Sequence, residues 1–355
     1  MHLRTLSSEW TVMTYQLRSV TRPRTLLAMD PAFTSRLFDE DLRARLAEVA
    51  DVVPDVIADD FGRPEVVAAL AEAEVLLTFW GVPVIDDEVL AAAPKLRAVV
   101  HAAGSVKHFT TPACWERGLT MSTAAGANSL PVAEYTVAMI LLAGKRILEM
   151  NREYTSRRIA PSMIHGLYQQ AGNYRRTIGL VGASRVGRRV IELLRPYDLD
   201  LLVHDPHLSL EEASTLGVRL LPLDALCAEV DILTIHAPEL NETRHLIDRR
   251  HLALLPDGAT LINTARGSLV DQAALIDELA TGRLNAVVDV TDPEILPADS
   301  PLFGLPNVLL TPHVAGSLGN ELRRLAAFAI EELRRYAAGT PFADPVFPQR
   351  LDRTA

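Results

Sequence analysis

Cysteine is nearly absent: Cys114 and Cys227 are the only two among 355 residues, far apart and without metal-ligand spacing. That argues against a disulfide scaffold or a thiolate metal centre and fits a protein of the reduced cytoplasm. Both residues read as small buried hydrophobes, and no metal site is expected. Positive charge is scarce as well. A formal net charge of −10 leaves no basic stripe to neutralise phosphates, so nucleic acid is not an expected partner. A small anionic substrate remains compatible, because a local site can be positive on an acidic protein. No apolar run has the length of a membrane span, so no membrane partner is expected. The first twenty residues, MHLRTLSSEWTVMTYQLRSV, lack the continuous apolar core of a signal peptide. Residues 1–22 read as a loose arm, or as an over-long start with Met13 as the initiator. There is no short internal repeat and no low-complexity segment.

What is present is ordinary globular composition, 48% apolar and 23% charged, in a chain long enough for two cores. Apolar, β-branched runs alternate with helix-length amphipathic stretches. The first group of strand-like runs is Thr25–Met29, Val75–Phe79, Leu96–His101 and Leu119–Ser122, with helical Asp41–Val49 and Pro64–Ala71 between them. The second group is Thr177–Val181, Asp200–His204, Ile232–His236, Thr260–Asn263, Ala286–Asp289 and Val308–Leu310. Continuous runs of this kind suit strands buried on both faces, so the predicted class is α/β with two doubly wound parallel-sheet units. Ser129–Leu148 reads as one long helix with Pro131 in its first turn and Glu134 soon after. Leu322, Leu325, Ala329, Leu333 and Tyr336 mark a second amphipathic helix near the C-terminus.

Residues 177–187, TIGLVGASRVG, run a buried strand into a glycine turn, and a helix over Arg188–Leu194 follows. The dinucleotide fingerprint places glycines at its first, third and sixth positions. Gly182 and Gly187 fill the first and sixth; Ser184 stands at the third. Gly182 allows the tight turn, Gly187 allows close helix–strand packing, and the helix-start amides offer an anion site for a pyrophosphate. Ser184 is small, and its hydroxyl can donate to a phosphate. The next strand ends in Asp205, some twenty residues on, where a carboxylate accepts from ribose hydroxyls and repels a 2′-phosphate. NAD is therefore expected over NADP; otherwise Asp205 is a loop residue before Pro206.

Three more strand ends carry polar groups: Asn-Thr-Ala-Arg-Gly at 263–267, Asp-Val-Thr-Asp-Pro-Glu at 289–294 and Thr-Pro-His-Val-Ala-Gly at 311–316. Ligands bind outside the carboxyl ends of strands in open parallel sheets. The ordered set GxSxxG, HDP, HAP with Thr243 after it, NTARG, DVTDPE and TPH resembles the D-isomer-specific 2-hydroxyacid dehydrogenases, over roughly residues 25–345. The resemblance implies a Rossmann-type NAD-binding domain over 129–317 and a flavodoxin-like substrate domain from 23–128 and 318–355, with the two long helices as crossings. It also implies a homodimer built on the nucleotide domain, with the Glu149–Gly172 excursion reaching toward the partner.

In that family the matching Arg, Glu and His form the catalytic set, which points to Arg266, Glu294 and His313. Arg266 would bind the 2-oxo acid carboxylate and polarise its carbonyl through a rigid planar fork. His313 would give a proton to the carbonyl oxygen as hydride arrives, and Glu294 would stabilise its imidazolium. The resemblance further implies cofactor contacts from Gly182, Ser184, Arg185, Val186, Gly187, Asp205, His236, Ala237, Pro238, Thr243, Thr264, Ala265, Asp289 and Gly316. Asp289 is expected at the nicotinamide carboxamide, or else at a helix cap, and His236 through backbone and not as an acid or base. Gly104, Ser105 and Val106 are expected to cradle the substrate carboxylate with their amides. Here the chain departs from the family: Ser105-Val106-Lys107-His108 replaces the usual Gly-x-Asp-Asn pattern, and Ile295 replaces the usual Pro after Glu294. Lys107 either reads a second negative charge on the substrate or is a solvated loop lysine.

The implied function is NAD-dependent hydride transfer between nicotinamide and a small D-2-hydroxy or 2-oxo acid. A co-repressor-like NAD(H) sensor is the alternative, against which the intact Arg266, Glu294 and His313 count. Formate dehydrogenase relatives resemble this chain too, but carry an amide where Glu294 stands.

Overall fold

The computed structural model describes residues 22–158 and 160–353. Apart from Arg22, the N-terminal arm and Met13 lie outside the described residues. Twelve strands form two all-parallel sheets among the described residues. The first contains β1 (Arg24–Ala28), β2 (Asp51–Ile57), β3 (Val75–Thr78), β4 (Ala98–His101) and β5 (Thr120–Thr123), in the order β2-β1-β3-β4-β5. That is the 2-1-3-4-5 order of flavodoxin-like sheets. The second contains β6 (Arg176–Val181), β7 (Leu199–His204), β8 (Arg219–Leu220), β9 (Ile232–Ile235), β10 (Thr260–Asn263), β11 (Asn285–Val288) and β12 (Val308–Leu310). Its order, β8-β7-β6-β9-β10-β11-β12, reverses direction between β6 and β9, as a Rossmann sheet does.

Both sheets are covered on their two faces, which is why their central strands read as unbroken apolar runs. β3, β4, β9 and β10 are buried at every residue. Two strands have no counterpart among the predicted runs. β2 carries Asp51, Pro54 and Asp55, with Asp55 at φ +58°, and its pairing with β1 shifts register between Thr25 and Leu27. It survives because it is an edge strand, where proline and irregular pairing are tolerated. β8 is a two-residue edge too short to carry a pattern.

The C-terminal helix Leu322–Ala337 packs Leu322, Leu325, Ala329 and Leu333 into the same core as Leu42 and Leu46 of the helix Glu40–Val49, on the first sheet. Beyond it, Val346 N–H donates to Met121 O on β5 (2.9 Å), so the end of the chain straps the edge of that sheet. Glu332, fully buried, holds the strap: it accepts from Ser122 Oγ and from the Ala343 and Asp344 amides.

The expected helix Ser129–Leu148 is two helices, Ala125–Gly144 and Ile147–Arg157. Gly144 lets the 172–173 backbone close in, with Gly172 N–H donating to Gly144 O at 2.7 Å, and a Cβ there would lie 1.9 Å from Asn173 Oδ1. Arg146 then turns left-handed at φ +52° and spends its guanidinium on Gly258 O and Glu149. Pro131 lies inside the helix and not in its first turn. By length and composition Ala125–Gly144 is apolar enough to cross a membrane, contrary to the sequence-based expectation. Here Ala133, Val137 and Ile140 are buried in the core of the second sheet.

The two cysteines are free and buried, one in the core of each sheet. Burial pushes the Cys227 thiol up to about 12, which makes it inert as a nucleophile.

Candidate active site

The glycine turn sits at the reversal point between β6 and β9. Gly182 has φ +102°, and a Cβ on it would fall 2.8 Å from Ala237 N and 2.9 Å from the His236 carbonyl carbon. A Cβ on Gly187 would fall 2.2 Å from Gly182 O. Both positions therefore require glycine for space, and Gly182 for conformation too. Ser184 caps the helix Arg185–Leu194, its Oγ accepting from Gly187 N–H at 3.3 Å. Its hydroxyl proton stays available, as do the first-turn amides of Arg185 and Val186, which no helical carbonyl can reach. Asp205 accepts from Ala183 N–H (2.7 Å) with one oxygen and from His207 N–H (2.8 Å) with the other. Each oxygen retains a lone pair, so the residue both fastens the turn and can accept further hydrogen bonds. The Arg185 guanidinium turns away to Asp344 on the C-terminal strap, as a two-pronged pair that ties the two sheets together.

Three loops converge at the other end of the crevice. Asn263, buried at the end of β10, accepts from Ala265 N–H (3.1 Å) and donates to Arg266 O (2.8 Å), fixing the curve that presents Arg266. Thr136 gives its proton to Val132 O, so Thr264 donates to it in turn (3.0 Å) and pins that loop to the long helix. Gly267 touches the next loop so closely that a Cβ would sit 2.1 Å from the Thr291 carbonyl carbon. The Thr291 hydroxyl lies 2.9 Å from Pro293 O and 3.0 Å from Glu294 O, and Gln272 clamps the Asp292 backbone from below. Glu294 Oε1 lies 2.7 Å from His313 Nδ1. With Nδ1 so engaged, Nε2 is the nitrogen left to exchange a proton.

His313 stands in a left-handed conformation, φ +53°, uncommon for a residue with a side chain. Asp289 enforces it. Its backbone carbonyl accepts from His313 N–H (2.8 Å), and its carboxylate accepts from Thr311 Oγ1, Val314 N–H and Ala315 N–H at 2.7–2.9 Å. Since Thr311 spends its proton on Asp289, Tyr135 donates to Thr311 (2.8 Å). Asp289 is thus the buried post on which the histidine loop is hung, and one lone pair on Oδ2 remains for another donor.

The loop expected to face a substrate follows β4. The Thr123 hydroxyl ties down the Ala103 and Gly104 carbonyls; Val106 is buried in the first core, while Gly104 and Ser105 are half-buried. Asn128 lies between this loop and the histidine loop. Its Oδ1 accepts from Ser317 N–H (2.9 Å), and Cβ atoms at Gly104 and Gly316 would lie 3.9 and 3.4 Å from its amide. Periodicity carries no signal for Asn128 or for the Asp344 partner of Arg185.

Several expected cofactor contacts also have an evident internal duty. Thr243 accepts from Leu240 N–H and lies 2.7 Å from Pro238 O, closing the turn after Ala237. His236 is buried with Nε2 3.1 Å from Thr234 Oγ1, and burial pushes it down to about 3, so it is neutral and no acid or base. His101, at the end of β4, is likewise pushed down to about 3, mainly by burial. The unfolded chain protonates both near the ordinary 6.5. Between about 6.5 and 3 the unfolded state therefore binds more protons, and stability falls as pH falls. Stepwise-pH denaturation should show the slope eased by about 1.4 kcal/mol per pH unit in His101→Gln or His236→Gln. Slopes equal to wild type would contradict this.

Residues 137–315 match the family described as D-isomer specific 2-hydroxyacid dehydrogenase, NAD binding domain. The chain belongs to this family. Among its 2-hydroxyacid dehydrogenase relatives, the D-3-phosphoglycerate dehydrogenase of Mycobacterium bovis is 33% identical over 305 residues, 85% of this chain. The chain spans only 56% of that relative's length. The glyoxylate reductase of Aeropyrum pernix is 33% identical over 263 residues, 72% of this chain and 77% of the relative. Among solved structures, the TT0316 protein of Thermus thermophilus superposes with a TM-score of 0.71 at 28% identity, covering 91% of this chain and 100% of that one.

Proposed function

We propose that the protein is an NAD-dependent oxidoreductase that interconverts a small 2-oxo acid and its D-2-hydroxy acid, with Arg266, Glu294 and His313 as its catalytic residues. The observation that carries this reading is the 2.7 Å pair between His313 Nδ1 and Glu294, with His313 in a strained left-handed conformation and the Glu294 loop packed at Thr291 against Gly267, the neighbour of Arg266. Strain of this kind persists where surrounding structure enforces it, and it clusters at functional sites.

The cradle fits a dinucleotide. Two glycines let the turn after β6, the helix start and the turn after β9 close tightly on one another, the helix-start amides are free, and Asp205 beside them has acceptor capacity. Gly182, Ser184, Val186, Gly187 and Asp205 would hold the adenosine and pyrophosphate half. Thr264, Ala265, Asp289 and Gly316 would line the nicotinamide half, with His236, Ala237, Pro238 and Thr243 forming the facing turn. When bound, NADH supplies a hydride. The chain's own residues do the rest. Gly104, Ser105 and Val106 offer backbone amides to the substrate carboxylate, and Arg266 grips it and polarises the carbonyl. His313 Nε2 delivers a proton to the carbonyl oxygen while Glu294 stabilises the charged ring. In the oxidative direction the same nitrogen takes the proton back.

We further propose that residues 23–128 with 318–355 and residues 129–317 close on the substrate as two domains. The assembly we infer is a cytoplasmic homodimer. Two buried free thiols favour a reduced compartment, and the exposed Tyr154, Met163 and Leu167 in the 149–172 excursion offer an apolar surface to a second copy.

Fluorescence titration tests the cofactor. NADH should bind at least tenfold more tightly than NADPH, and Asp205→Asn should narrow that preference about tenfold by removing one charge repulsion. Equal binding of both cofactors by the wild type would refute the NAD assignment. Steady-state reduction of glyoxylate, hydroxypyruvate and phosphohydroxypyruvate with NADH tests the reaction. Tight NADH binding without turnover of any 2-oxo acid would favour the sensor.

A further inference from the structure

Arg266 does not stand alone. Glu239, on the turn after β9, has Oε1 fixed at 2.5 Å by the buried Ser268 hydroxyl, two residues past Arg266, and its Oε2 lies 3.9 Å from Arg266 Nε. The opposite edge of the guanidinium is taken as well, since Nη1 donates to Ala265 O at 2.6 Å. Ser268 is itself held, its carbonyl accepting from His245 N–H at 2.8 Å. Glu239 is thus a half-exposed carboxylate that Ser268 tethers beside the one cation that the proposed reaction needs.

We propose that Glu239 is a specificity-determining residue: it restricts the Arg266 site to 2-oxo acids whose 2-carboxylate is their only anionic group, disfavouring those with a second carboxylate or a phosphate. The inference rests on Arg266 binding the substrate carboxylate, as proposed above. A carboxylate anchored on the planar guanidinium lies within about one Debye length, ~9 Å, of Glu239, whichever edge it uses. A second anionic group on a three-carbon skeleton lies a few ångströms nearer or farther by orientation, so the repulsion is greatest where it turns toward Glu239 and is weakened by salt. A monoanion exchanges one carboxylate partner of Arg266 for another; a dianion adds a charge that Glu239 and Glu294 both repel. The phosphoglycerate relatives' substrate carries such a second charge by its name, and Glu239 counts against its transfer to this chain.

Oxamate and oxalate test this directly, because they share a shape and differ by one negative charge. Their dissociation constants would be measured by calorimetry on the wild type, Glu239→Gln and Glu239→Asp at low and at high salt. The wild type should prefer oxamate. Glu239→Gln, which can still accept from Ser268, should improve oxalate binding about tenfold and oxamate no more than about threefold. Glu239→Asp, which keeps the charge, should retain the wild-type preference, and high salt should shrink the difference. An oxalate-to-oxamate ratio unchanged in Glu239→Gln, or a parallel loss of both ligands, would overturn the proposal. The binding ratio does not require turnover. Failure of the reductase assay sinks the catalytic reading, while an unmoved ratio sinks this one.

Discussion

His313→Asn should lower kcat by about 10²–10⁴-fold while leaving NADH affinity within about threefold of wild type. Asparagine is the informative replacement because it tolerates the left-handed backbone that His313 adopts at φ +53°. The hydrogen bonds from Val314 and Ala315 to Asp289 should then survive, and the loop should keep its shape. What disappears is the ring nitrogen opposite the Glu294 contact. The loss should fall on kcat more than on KM, since the substrate's carboxylate grip belongs to Arg266 and the backbone cradle. Glu294→Gln should show a smaller loss in the same parameter, because a neutral amide no longer stabilises the charged imidazole. Wild-type turnover in His313→Asn would remove this residue from the chemistry.

Gly182→Ala should weaken NADH binding by about 100-fold, or ~2.7 kcal/mol. Two effects coincide at this position. The backbone is left-handed, which costs a non-glycine residue about 1–2 kcal/mol. The added methyl also meets the Ala237 amide at 2.8 Å and the His236 carbonyl carbon at 2.9 Å, both backbone atoms that cannot rotate aside. The crevice between β6 and β9 must open, displacing the Ser184 cap and the amides of the helix start. Gly217→Ala separates the two causes. Gly217 is also left-handed, at φ +72°, but a Cβ there meets nothing within 4 Å. It ends a short surface helix as a C-cap. That variant should lose about 1 kcal/mol of stability and no cofactor affinity. A Gly182→Ala protein with wild-type NADH binding would mean that the turn is not the cofactor cradle.

Much of this arrangement is legible in the order of the amino acids. The buried parallel strands stand out as unbroken apolar runs, and the run Val308–Leu310 coincides with β12 at both ends. The proposed catalytic residues sit in the segments just past such runs, which makes Arg266, Glu294 and His313 readable as an ordered set of candidates. What escapes has physical causes. β2 is an edge strand with a proline and two aspartates, so it lacks the pattern of a buried strand. The break at Arg146 depends on a contact between Gly144 and a segment near residue 172, which no local pattern encodes. The hidden architecture of the site is likewise non-local. Asp289 reads as a ligand contact, yet three loop donors fill most of its carboxylate. Asn128 and Asp344 join elements 189 and 159 residues apart in the chain. Glu239 carries no local signal in the turn after HAP, because only the fold brings it to Arg266.

Isotope transfer offers the plainest test of the proposed chemistry. The purified protein would be incubated with NADH deuterated at C4, one face per run, and with glyoxylate or hydroxypyruvate, and the product hydroxy acid analysed by mass spectrometry and chiral chromatography. The expected result is deuterium at C2 from one face only, a product of D configuration wherever C2 becomes a stereocentre, and transfer slowed about 10²–10⁴-fold in His313→Asn. Saturated NADH binding with no deuterium in any hydroxy acid would contradict the proposed hydride transfer to these acids and leave a nucleotide-binding protein in its place.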